Sequence, residues 1–166
     1  MKTKTYLYVV LCIMSVSTIF LTACKKHKES DPVSFVSNVS RPVWIVPTGY
    51  DYTSSMTAVV TVDLAAQYPE TATDFVLGDN DLLAAFCGET CLGVASPQEG
   101  LFFLYIVRPM SNSDSGQTSD SEAVSLRYYS AHYKNIFEAN DAFTFANDTH
   151  LGTIAEPFVP TFVVVP

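Results

Sequence analysis

Leu82-Leu83-Ala84-Ala85-Phe86-Cys87-Gly88-Glu89-Thr90-Cys91-Leu92-Gly93-Val94-Ala95 is the stretch that decides the fold. Two short apolar runs, 82–87 and 91–95, flank a Gly-Glu-Thr spacer, which has the length and turn chemistry of a tight β-hairpin. Upstream, Met56, Ala58, Val60 and Val62 alternate with Ser55, Thr57, Val59 and Thr61. That period of two predicts a half-buried strand over 54–62.

Downstream, Leu101-Phe102-Phe103-Leu104-Tyr105-Ile106-Val107 is apolar at every position between Gly100 and Pro109. It reads as a central strand covered on both faces. Further strands are expected at 123–130, 135–139, 142–145 and 158–165, with an edge strand at 43–46. Pro157, Pro160 and Pro166 bracket and interrupt the last of them, a pattern expected at a sheet edge. No segment carries a sustained helical stripe, although 63–68 suits a single turn. Serine-rich residues 109–121 read as an exposed loop. Many short strands punctuated by turn residues predict an all-β chain, an antiparallel β-sandwich of immunoglobulin-like or jelly-roll-like type, with a closed barrel as the second choice.

The N-terminus carries a different message. Lys2 and Lys4 precede an apolar stretch from Tyr6 to Leu21, and Leu21-Thr22-Ala23-Cys24 follows. At 16 residues the stretch is short for a membrane span, which needs about 20. The pattern is that of a lipoprotein signal peptide over 1–23, removed before an acylated, palmitate-bearing Cys24. Residues 24–41 are polar and read as a flexible tether, with Lys25-Lys26-His27-Lys28 beside the anchor. Residues 42–166 then form the sandwich domain. The expected location is the outer membrane, facing the periplasm or the cell surface.

Charge narrows the partners. From residue 33 onward, fifteen acidic side chains against four basic ones, Arg41, Arg108, Arg127 and Lys134, leave a formal charge of −11. Such a body repels phosphate backbones, so nucleic acid is not an expected partner. The membrane, through the acyl anchor, is.

Side-chain chemistry points weakly. With a three-residue loop, Cys87 and Cys91 lie opposite each other and within reach of a disulfide; with a two-residue loop, Cys87 pairs with Thr90 and the sulfurs point to opposite faces. His27, His132 and His150 form no zinc set with them. Asp79 and Asp81, with Asp74 nearby, are oxygen-rich enough to suggest calcium, but they lack the full loop pattern and are ordinary turn residues. No cofactor is expected. A hydrolase needs an activated nucleophile or a placed pair of carboxylates, and no motif supplies one. Binding has more support, because Trp44, Tyr50 and Tyr52 cluster around Pro47 and Gly49 as aromatic faces for a sugar or peptide. Tyr128, Tyr129 and Tyr133 form a second group, in which strand alternation turns Tyr129 away from Tyr128.

The stretch from Asp81 to Ala95 resembles a recurring pattern in envelope proteins of Gram-negative gut-type bacteria, Asp-x-x-Ala-Ala-Phe-x-Gly-x-x-Cys-x-Gly-Val-Ala. The flanking Tyr52-Thr53-Ser54-Ser55-Met56-Thr57, Leu101-Phe102-Phe103-Leu104 and Phe143-Thr144-Phe145 are similar to that family's neighbouring strands, over about residues 44 to 160. The family often has an Arg where this chain has Leu92, and often lacks a cysteine at the position of Cys87. The resemblance implies a β-sandwich module of lipid-anchored or secreted proteins and supplies no catalytic residues. The expected function is a non-catalytic envelope lipoprotein that binds a glycan or an envelope protein. The alternatives are a structural or adhesion subunit that adds its last strand to a neighbour, and a hydrolase whose site forms only in three dimensions.

Overall fold

A computed structural model of the chain describes residues 35–48, 54–107 and 123–164. The elements are β1 (Ser55–Val60), α1 (Leu64–Gln67), β2 (Leu82–Cys87), β3 (Thr90–Ala95), β4 (Pro97–Gln98), β5 (Leu101–Val107), β6 (Ala123–Ser130), β7 (Asn135–Ala139), β8 (Phe143–Thr144), β9 (His150–Leu151) and β10 (Phe162–Val164). They form two sheets. One has the order β4-β5-β1-β9; the other has the order β10-β7-β6-β2-β3, with β8 paired to the start of β6. The protein is all-β, and the two sheets pack as a sandwich around a single large core.

Period-two patterning builds that core. In β1, Met56, Ala58 and Val60 turn inward, while Ser55, Thr57 and Val59 stay half-buried on the other face. Phe102, Leu104 and Ile106 of β5 meet them, and Leu83, Ala85, Val124, Leu126, Tyr128 and Phe137 close from the opposite sheet. Tyr128 is the hub. Its ring lies 5.7–6.4 Å from those of Phe162, Phe137, Phe102 and Phe75, so it touches side chains of both sheets.

The hub is held by a buried carboxylate. Asp81 is fully buried just ahead of β2, where its Oδ2 accepts from the Tyr128 hydroxyl at 2.6 Å and from the Gly78 amide at 3.0 Å. Its Oδ1 accepts from the Ala131 amide at 2.7 Å. Burial first, and then the negative charge of Asp81, push the Tyr128 phenol far above its usual range, so it remains a donor.

Both long sides of the sandwich are bridged by chain that changes sheets. β3 pairs with β2, and two residues later β4 pairs with β5 of the other sheet. On the far side, Phe158 exchanges hydrogen bonds with Val59 and Thr61 beside β1, and β10 then pairs with β7. α1 secures that second crossing: Asp63 caps its first turn, and Gln67 bonds both the Pro160 carbonyl and the Phe162 amide. The closure has barrel character without a continuous hydrogen-bonded ring, a usual result when strands turn sandwich corners.

Several sequence expectations change. β5 is not covered on both faces along its whole length: of its outward residues Val107 is buried, but Phe103 and Tyr105 remain 42% and 50% exposed. Pairing is not wholly antiparallel, since β9 runs parallel to β1. Residues 43–46 form no strand, and the last strand shortens to Phe162–Val164 because the backbone up to Thr161 spends its bonds on the crossing. The tether expected through Arg41 ends earlier. Phe35 is buried against Tyr68, Tyr133 and Phe137, and the Ser37 and Val39 amides donate to the Tyr133 and Lys134 carbonyls. The signal segment, Cys24 and the 109–121 loop lie outside the described residues.

Gly93 marks the tightest point of the closure. A Cβ there would stand 2.4 Å from the Tyr105 carbonyl oxygen of β5, an approach only a bare backbone allows. Gly93→Ala is therefore expected to cost about 3 kcal/mol in urea unfolding, at the upper end for an overpacked site. Gly78→Ala, whose added Cβ makes only ordinary contact at 3.7 Å, serves as the control. Equal stabilities for the two variants would contradict the closed geometry.

Candidate functional site

Two outer faces remain once the core is filled, and they differ. On the β2–β6–β7 face, the chain closes its own surface. Trp44 and Val46 pack onto Ala84, Phe86 and Cys91, with the Trp44 and Phe86 rings edge to face at 5.7 Å. The Arg127 guanidinium sits 4.5 Å above the Phe86 ring, grips Glu89 with two bonds of 3.1 and 2.9 Å, and reaches Glu138 with its Nε at 2.9 Å. That grip holds the Glu89 carboxyl below the usual carboxylate range. Trp44 is thus a packing residue with one edge in water, and Tyr50 and Tyr52, its expected companions, lie outside the described residues.

The β1–β5–β9 face keeps two aromatic rings half-exposed. Strand register sets its rows: Tyr105 lies opposite Thr57, Thr57 lies beside His150, and Phe103 lies opposite Val59 in the next row. The Thr57 hydroxyl and His150 Nδ1 are hydrogen-bonded. Beside them is a shallow depression of about 260 Å³, lined by Ser55, Met56, Thr57, Asp148, Thr149 and His150.

The rim of that depression is locally rigid. The Asn147 side chain accepts from the Ser55 amide at 2.8 Å, the Asp148 amide donates to the Ser55 carbonyl at 2.8 Å, and the Thr149 hydroxyl donates to the Ala146 carbonyl at 2.6 Å. Asp148 turns the loop with φ of +55°, a conformation that Asp tolerates better than most residues. Apolar rings and hydrogen-bonding groups therefore share one solvent-facing surface with little backbone freedom.

The other candidates resolve separately. Asp81 points inward and spends both oxygens on protein donors, whereas Asp79 is exposed at the surface. They present no shared oxygen cluster, and no group of three or more His, Cys, Asp or Glu side chains able to hold a metal occurs among the described residues. His132 bonds Asp74 at 3.0 Å, and the Tyr133 hydroxyl donates to the same carboxylate at 2.9 Å. The His132 bond, and then the Tyr133 bond, hold Asp74 below the usual carboxylate range; burial and Asp74 push the Tyr133 phenol up to about 12. This trio ties the β1–β2 connection to the β6–β7 turn. Tyr129 does face away from Tyr128, with its hydroxyl on the Val39 carbonyl at 3.4 Å.

Phe103 and Tyr105 were missed as surface residues because every position from 101 to 107 is apolar. The available signal was the phenol of Tyr105, the only polar side-chain group in that run. Comparison of the chain with family models, curated proteins and solved structures found no match.

The hairpin takes its shorter form. Cys87 pairs with Thr90, which places Cys91 opposite Phe86, and a register shift at Ala85/Phe86 then sets Gly93 opposite Ala85. Cys87 packs toward the main core and Cys91 toward the Trp44 cluster, so the sulfurs lie on opposite faces of the sheet and no disulfide joins them. Burial pushes the Cys91 thiol up, which makes it a poor nucleophile. In a form beginning after Cys24, purified without reductant, denaturation should expose two thiols per chain to maleimide. A mass two units lower with no reactive thiol would overturn this register.

Proposed function

We propose that the protein is a non-catalytic, lipid-anchored envelope protein whose sandwich binds a glycan on the outer face of β1, β5 and β9. The observation that carries this reading is the half-exposed pair Phe103 and Tyr105, two positions apart on one strand, with Tyr105 in the row of Thr57 and His150 and Phe103 in the next. Aromatic rings offer an apolar surface to the C–H face of a sugar, and fixed hydroxyl and imidazole groups bond its hydroxyls. The anchor rests on Leu21-Thr22-Ala23-Cys24 and its basic, apolar lead.

Strand addition has less support. β10 is three residues long, follows Pro160 and is already paired along one edge with β7.

Affinity electrophoresis through gels containing soluble polysaccharide tests the binding. Tyr105→Ala and Phe103→Ala should each weaken retardation about tenfold, the effect of losing about 1.4 kcal/mol of ring contact, with little change in melting temperature. Retention equal to that of the unaltered protein in both variants would contradict the assignment.

A further inference from the structure

The same face also specifies the charge of its ligand, given the glycan-binding reading on which this step rests. Among the described residues the basic side chains are Arg41, Arg127 and Lys134, and none belongs to β1, β4, β5 or β9. Arg41 donates to the Asn80 carbonyl, Arg127 is engaged by Glu89 and Glu138, and Lys134 lies in the turn between β6 and β7. Acids, by contrast, stand at two margins of the aromatic face. Glu99 occupies the β4–β5 turn at φ +51°, and Asp148 lines the depression beside His150.

A polyanion lying along β5 would therefore pass between two carboxylates with no cation on the strands beneath it, inside a body already strongly acidic. Such repulsion acts over about 10 Å at 0.1 M salt, so each carboxylate opposes an anionic ligand at its own margin of the face. Phe103 and Tyr105 are separated by about 6.8 Å along the strand, so they favour an extended chain over a single small sugar. Gln98, paired with Leu101, adds an uncharged amide on an exposed position next to the same strand.

We infer that the ligand is an uncharged, extended polysaccharide that lies along β5, its sugar faces on Phe103 and Tyr105 and its hydroxyls toward Thr57, His150 and Asp148. Uronic-acid and sulfated chains are disfavoured by charge.

The test compares probes at equal concentration and low salt: mixed-linkage β-glucan and galactomannan as neutral chains, and polygalacturonate as the polyanion. The intact protein should bind at least one neutral chain more tightly than polygalacturonate by about tenfold or more. Glu99→Gln combined with Asp148→Asn keeps both left-handed turns and removes both charges, and should narrow that preference. Polygalacturonate bound as tightly as the neutral chains, with binding lost in Tyr105→Ala, would overturn the charge inference and leave glycan binding standing. Retardation by none of the three, or a protein ligand whose binding is lost in Tyr105→Ala, would overturn the glycan reading itself.

Discussion

One buried carboxylate organises this domain. Asp81 accepts three hydrogen bonds, from a core phenol and from two amides that belong to different loops. Leaving those donors without an acceptor would cost about 1–3 kcal/mol for each, a large fraction of the stability of a domain this size. The phenol belongs to Tyr128, whose ring is in contact with aromatic side chains of both sheets, so fixing its hydroxyl fixes the centre of the core. No buried polar side-chain atom among the described residues lacks a partner, consistent with a core that tolerates Asp81 only because it is fully bonded.

Closure of the long sides follows from the same economy of backbone groups. β3–β4 and the 158–164 segment each serve both sheets, which leaves little unpaired edge along the core. It also divides the labour between the two outer faces. One is partly covered by Trp44, Arg127 and two glutamates, and the other keeps two aromatic rings half-exposed. An exposed aromatic pair on a rigid strand is the kind of surface that a folded protein retains for contact.

Much of the fold was legible because alternation and turn chemistry are local. β6 and β7 begin and end where their patterns do, Asp63 caps the short helix α1, and the hairpin at Gly88 was visible in its spacer. What was not legible depends on neighbours far along the chain. A uniformly apolar β5 conceals which face is covered, and that is decided by its pairing with β1 and by the opposite sheet packed on its inner side. The Gly88-Glu89-Thr90 spacer fits either loop length, and the role of Asp81 turned on a tyrosine 47 positions downstream. The candidate site was the least legible part. Trp44 is conspicuous in the sequence but is used for packing, while the exposed rings were hidden inside the most hydrophobic run of the domain.

The account places a binding face on a scaffold whose geometry depends on the bonds of Asp81, and the Ala131 amide reports on those bonds directly. Ala131 sits in the turn between β6 and β7, where an amide facing water would exchange its hydrogen within seconds to minutes. Native-state hydrogen exchange followed by NMR should find it as slow as the core amides of β2 and β6, opening only with global unfolding. Exchange at the rate of the exposed turn residues around it would contradict the central claim.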